Sequence, residues 1–445
     1  MMISTKPILY FLLALALIRG LVYASFVPPW QAPDEPAQFE RAKAALSAAD
    51  WTATAKNGPA WYADLTHSLF AFDIYDYLDT PRRFYNPDDL ISRHVTLYQA
   101  AYKGQYGSRP MYALIGWPLL LAGQQDLNLQ LFLVRLNTVL MNVGIIWLAW
   151  LITRTIFPGD NFLALGVPAL ILFNPQHTHL LATVNNGNLA ELLATAALYF
   201  VVLGIMRGFS WLNLTAMLLL TTAAMWTKAT AYFLPAALGV IALIFLWQYR
   251  RYWRWGLPAG LIAAGLLYTF APLRLKALVE QAWNQLTSGN FYLDPIVPQD
   301  LFRSFWAMPG WTIFYIHPLW YQVIGGFCLL ALVGLIWLTI NKWAKLRAGQ
   351  YHRQLQALLV MVVAIVTAVG ILLAWNALNF SIVYRQGRSI YPVMVPVALL
   401  LMLGWRQLIP TRWRSTGLLA LISAFFLFDS MVLFHYLIPF FYARY

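Results

Sequence analysis

The groups best suited to chemistry are a few polar residues set in an otherwise greasy chain. Asp34 and Glu35 stand side by side between Pro33 and Pro36, in the stretch PPWQAPDEPAQFERAKA at residues 28–44. Carboxylates carry proton-transfer chemistry where a site needs it. On a helix, adjacent side chains point about 100° apart, so these two serve different tasks. Asp34 is equally suited to capping the helix that EPAQFERAKAAL begins, with Pro36 in its first turn. Arg385 and Arg388 flank Gly387 in IVYRQGRSIYP, residues 382–392. Guanidinium forks match phosphate geometry, and a glycine lets backbone approach a ligand closely. Headgroup binding, or pairing with a carboxylate, would use the same residues. Lys228, in MWTKATAYF at residues 225–233, suits a lipid phosphate or snorkels to the membrane surface.

A third cluster is NPQHTHLLATVNNGNLAELL, residues 174–193. Asn185, Asn186, Asn188 and Glu191 suit hydrogen bonding to hydroxyl groups in a cavity, or simply a capped, polar helix start. His177 and His179 are of metal-ligand type, but a short turn lacks the further ligands of a closed site, so a divalent metal stays open as a cofactor. Asp73, Asp76 and Asp79, within FDIYDYLD, form an acidic edge to a cleft or a solvated helix face.

The elements that position these groups are read from composition. Of the 445 residues, 60% are hydrophobic and 11% charged, less than half the charge usual for a soluble chain. Runs of about 20 apolar residues recur, enough to cross a bilayer as helices. Candidate spans lie at 7–27, 131–153, 161–175, 180–206, 211–227, 230–248, 256–272, 319–340, 356–378, 389–405 and 415–436. The net charge of +13 sits in short clusters beside these runs, such as QYRRYWRW and WRQLIPTRWR. That pattern fits cytoplasmic span ends and anionic lipid, not nucleic acid. The 20 Trp and 24 Tyr suit interfacial belts. The single cysteine, Cys328, lies inside an apolar run and forms no internal disulfide.

With Lys6 inside, counting crossings puts Arg154, Arg207, Arg250, Arg251, Arg254, Lys342, Lys345, Arg347, Arg406, Arg412 and Arg414 on the cytoplasmic side. The expectation is an all-α polytopic protein of the plasma membrane with about 11 transmembrane helices, N-in and C-out. Its 1–445 chain is one unit with two long outer loops, 28–130 and 273–318. MYALIGWPLLLAG, residues 111–123, is too short to span and would reverse every later loop; it is expected along the outer surface. Arg19, inside the first span, needs a partner or water and is expected beside a lipid groove. Arg135 lies near the outer end of the second span.

A carboxylate pair just after the first span, opening a long outer loop with surface helices, resembles the GT-C superfamily of membrane glycosyltransferases, such as protein O-mannosyltransferases and the aminoarabinose transferase of lipid A. PPWQAPDEPAQFERA is also similar to the opening of an uncharacterised family of multi-spanning bacterial proteins. The resemblance implies inverting transfer of a sugar from a polyprenyl-phosphate donor, on the outer face, to a protein, glycolipid or polymer acceptor in the cell envelope. It implies Asp34 as general base and Glu35 as a residue positioning acceptor or sugar. It implies Arg385, Arg388, Lys228 and Arg135 as cations for the donor phosphate, and Asn185, Asn186, Asn188 and Glu191 as sugar or acceptor contacts. GT-C relatives differ in whether they need a metal, which leaves His177 and His179 open. Two other readings are a flippase of lipid-linked sugars and a non-catalytic subunit of a membrane complex. A transporter would show paired halves with broken helices at the midplane, and no such symmetry is evident.

Overall fold

The structure, a computed structural model, describes residues 6–46, 61–72, 109–123, 126–248, 273–289, 293–310, 312, 314–347, 352–379 and 386–442, with scattered positions between 254 and 269. Arg385, Asp73, Asp76 and Asp79 lie outside the described residues, as does most of the expected span 256–272. Among the described residues every regular element is helical. Seven helical stretches are long and apolar enough to cross a membrane: Pro7–Phe26, Leu127–Ile156, Asn186–Arg207, Pro318–Lys342, His352–Ala377, Gly387–Leu408 and Thr411–Tyr442. The chain is an all-helical, membrane-embedded protein.

The helices that carry the argument are α1 (Lys6–Phe26), α2 (Glu35–Leu46), α3 (Trp61–Ala71), α4 (Arg109–Gly116), α5 (Leu119–Ala122), α6 (Leu127–Ile156), α7 (Asn161–Leu172), α8 (Pro175–Leu181), α9 (Asn186–Arg207), α10 (Trp211–Thr227), α11 (Phe233–Gln248), α12 (Leu273–Ser288), α13 (Ile296–Trp306), α14 (Pro318–Arg347), α15 (His352–Asn379), α16 (Met394–Leu408) and α17 (Arg414–Met431). Two expected spans are shorter than forecast, α7 and α11 with 12 and 16 residues, while α10 keeps the expected bounds 211–227. The expected 180–206 span begins only at Asn186. Asn185 caps it, its side chain accepting from Gly187 N, while Pro175 starts the separate helix α8 after Asn174, which caps that one.

Residues 111–123 lie in two short helices, α4 and α5, broken at Trp117–Pro118. Neither can cross a bilayer. Together with α2 and α3 they enclose a small apolar core of Trp30, Phe39, Leu65, Leu69, Tyr112 and Ile115, closed below by Leu131 and Val134 of α6. Trp30 meets Phe39 edge to face at 5.3 Å and donates Nε1–H to Ser68 Oγ at 2.8 Å. This core holds the segment that follows α1 onto the bundle. The main core runs through α1, α6, α7, α9 and α16, with Ala16, Ile145, Ile152, Val202 and Leu399 at its centre. Gly404 of α16 crosses Gly334 and Ala331 of α14 so closely that a Cβ on either glycine would meet backbone. Small residues at such crossings replace the missing hydrophobic drive between helices in lipid. Arg19 finds its partner inside the bundle, an ion pair with Asp429 of α17 that also accepts from Tyr23 Oη at 2.7 Å. The lipid-groove role expected for Arg19 is therefore corrected: the cation ties α1 to α17.

Candidate functional site

After α1 the chain turns sharply, and Trp30 and Asp34 both take left-handed backbone, φ 70° and 66°. Such a conformation costs a non-glycine residue about 1–2 kcal/mol and needs support from its surroundings. Glu35 and Arg135 supply it. Arg135 Nε and Nη2 donate to the two Glu35 carboxylate oxygens at 2.8 and 2.6 Å. Its remaining N–H groups donate to the carbonyls of Ala24, Val27 and Pro28 at 2.8, 2.6 and 2.9 Å. Glu35 in turn accepts from the backbone N–H of Val184 at 3.0 Å and of Trp30 at 3.1 Å. Both side chains are buried.

This geometry corrects two expectations. All five guanidinium donors of Arg135 are committed, leaving none for a phosphate. Glu35 is sealed from solvent, so it contacts neither acceptor nor sugar. The pair is a clamp that pins the end of α1, the turn at Trp30 and the 182–185 loop to one another.

Asp34 behaves differently. Its side chain is 48% exposed and accepts from Arg388 Nη2 at 2.8 Å, while Arg388 is 11% exposed. Arg388 also donates to Pro33 O at 3.4 Å, and its Nε is held by Gln386 Oε1. The segment carrying Arg388, the 3-10 turn Gly387–Val393, is seated on α13: Gly387 N donates to Ser304 Oγ at 2.6 Å, and Tyr391 Oη donates to Phe305 O at 3.1 Å. Position 387 must be glycine, because a Cβ there would strike the backbone of Leu301 and Phe305.

Lys228 follows the end of α10 and reaches Asn185 Oδ1 at 2.9 Å, while Asn185 Nδ2 donates to Pro33 O at 3.3 Å. Asn186 donates to Tyr112 Oη at 3.1 Å and Thr227 O at 3.0 Å. Residues far apart in sequence thus meet at one end of the bundle: Asp34, Asn185, Asn186, Lys228 and Arg388. Asn188 is buried, its amide bridging Leu180 O and Thr183 O. Glu191 is buried and pairs with His177 Nε2 at 2.7 Å, with the His177 ring edge-on to Tyr391 at 5.1 Å. The expectation of sugar contact at Asn188 and Glu191 is corrected: both are enclosed by protein. His179 is also fully buried. Among the described residues no group of three or more His, Cys, Asp or Glu that could hold a metal forms around His177 and His179.

Sequence reasoning missed Arg41, Gln38 and Tyr112. Arg41 Nη1 donates to Tyr112 Oη at 3.1 Å, and Tyr112 Oη donates to Gln38 Oε1 at 2.8 Å. The signal was present in part, since Gln38 and Arg41 are three residues apart and share one face of α2 just after Asp34. Electrostatics follow from this arrangement. Burial raises the Asp34 pKa, but Arg388, Lys228 and Arg41 outweigh it and hold the carboxyl below the ordinary Asp value. Burial pushes the Tyr112 hydroxyl up, opposed by Arg41 and Asn186. Asp34 is therefore ionised across neutral pH.

The fold and site together define a polytopic membrane protein with an ionised, half-exposed carboxylate among three cations at one end of its helices. Compared with models of protein families, with curated proteins and with solved structures, the chain matches none.

Proposed function

We propose that this chain is a glycosyltransferase of GT-C type in the plasma membrane, with eleven spans, the N-terminus inside and a recess outside. It would move a sugar from a polyprenyl-phosphate donor to an acceptor hydroxyl with inversion. One observation carries the reading: an accessible, ionised Asp34 stands among Arg388, Lys228 and Arg41, the cluster we take to line that recess for the donor. Transfer of a glycosyl group from phosphate needs these two charges of opposite sign at close range.

In the reaction the acceptor O–H proton passes to the Asp34 carboxylate as that oxygen bonds to the anomeric carbon. The bond from the anomeric carbon to the phosphate oxygen breaks, and its electron pair stays on the phosphate. Polyprenyl phosphate leaves with one more negative charge than the donor carried. Arg388 and Lys228 offset that growing charge with charge-assisted hydrogen bonds. Asn185 holds Lys228 by its ammonium, and the Glu35–Arg135 clamp keeps Asp34 in its left-handed turn.

The test is release of polyprenyl phosphate from polyprenyl-phosphate sugars by the purified chain in nanodiscs, with a membrane extract as acceptor source. Wild-type protein should release it and Asp34→Asn should not. Equal release by both sinks the assignment of Asp34 as base.

A further inference from the structure

The Asp34–Arg388 ion pair has a consequence for how the recess would be used. Among the described residues Arg388 bonds to the half-exposed Asp34 carboxylate, to Gln386 and to the Pro33 carbonyl. The cation best placed for an incoming phosphate is thus already occupied by an internal anion. We propose that Asp34 and a phosphate-bearing lipid compete for Arg388, so that the carboxylate is a built-in plug which the donor displaces and which later expels the product. The inference rests on the transferase reading but is tested without any sugar.

Among the described residues the groups facing Asp34 are Arg388 from the 3-10 turn, Lys228 from the end of α10 and Arg41 from α2, which follows Asp34, with Tyr112 of α4 beside Arg41. A donor phosphodiester that takes Arg388 removes the strongest attraction on the Asp34 carboxylate and leaves it free to rotate toward the acceptor. Its side chain has room to do so, being half open to solvent. Its basicity rises at the same moment, because a cation that held it ionised is now screened by an anion. After transfer Asp34 carries the acceptor's proton and the product is a phosphate monoester. Loss of that proton to water restores the carboxylate, which reclaims Arg388 and weakens the hold on the product. Binding thus arms the base, and recovery of the base clears the site.

The experiment measures binding of decaprenyl phosphate, dioleoyl phosphatidic acid and inorganic phosphate to the full chain in phosphatidylcholine nanodiscs. Asp34→Asn removes the competing charge, and asparagine is among the residues most at ease at positive φ, so the turn is kept. Asp34→Gly serves as a second variant suited to that backbone. Both should bind decaprenyl phosphate about fivefold more tightly than wild type. Arg388→Ala should bind it about tenfold more weakly, and the gain from Asp34→Asn should shrink in that background. Unchanged or weaker binding by both Asp34 variants overturns the plug. A gain confined to phosphatidic acid overturns the carrier-lipid assignment in favour of a bilayer headgroup, and one confined to inorganic phosphate overturns the lipid requirement. Absence of sugar transfer alone would remove the transferase reading and leave this competition standing.

Discussion

Substituting Glu35 tests whether two adjacent carboxylates have separate jobs. Glu35→Gln leaves the buried Arg135 guanidinium without its counter-charge, and breaking a buried pair on one side costs about 3–5 kcal/mol. Glu35→Ala also removes the acceptors of Trp30 N and Val184 N, each adding about 1–3 kcal/mol when left unsatisfied. Against a total stability of about 5–15 kcal/mol, these losses remove much or all of the folded population. Asp34→Asn, on the half-exposed neighbour, should stay within about 1 kcal/mol of wild type. The assay is recovery of monodisperse protein by size-exclusion chromatography after heating in mild detergent. Glu35→Gln should lose its peak well below the wild-type temperature, and Asp34→Asn should follow wild type. Adding Arg135→Gln to Glu35→Gln should restore part of the loss, since the unpaired charge is then gone. A Glu35→Gln protein as heat-resistant as wild type would refute the clamp.

The other predictions concern the recess and the topology. Gly387→Ala should displace the Arg388 segment from α13 and weaken decaprenyl phosphate binding about as much as Arg388→Ala, read in the same nanodiscs; unaltered affinity would contradict the seating of that turn. Stability should respond to acid: Asp34 is depressed in the folded chain, so its contribution is whole above the unfolded carboxyl value near ~3.9 and is lost as pH falls through the lower folded one. In a melting series Asp34→Asn should flatten the part of that acid loss due to this residue. If the donor screens Arg388, the acid limb of kcat should lie at higher pH than that of kcat/KM for the donor, and coincident limbs would count against the exchange. In a Cys328→Ser background, Asp294→Cys should react with an impermeant maleimide from outside and Arg412→Cys only from inside; the reverse pattern overturns the orientation.

Much of the helical plan was legible because hydropathy and charge bias are local properties. Residues 111–123 could be kept out of the span count by length and by the side on which basic residues fall, and they form two short helices. Span ends were less legible. Pro175 and the Asn185 cap divide what reads as nearly continuous apolar sequence between 161 and 206 into α7, α8 and α9. Asp34, Lys228 and Arg388, singled out separately in the sequence, do come together in the structure, through Asn185 and the Asp34–Arg388 pair, while Arg385 lies outside the described residues. Arg41 escaped notice because basic residues near a surface helix are ordinary, and only the face of α2 it shares with Gln38 sets it apart.

By itself the sequence determined that this is a multi-spanning helical protein, and that an acidic pair opens its first long loop. It pointed too to cations, Lys228 and Arg388, that the expected topology does not ask for. Only the tertiary structure divided the acidic pair. Glu35 meets Arg135 100 residues away, and Asp34 meets Arg388 354 residues away. A left-handed turn at Asp34 sends the two side chains apart, one into the bundle and one toward Arg388. Sequence spacing carries helix periodicity but not the direction a kinked backbone gives its side chains. Which carboxylate is sealed and which is open is therefore decided by packing alone.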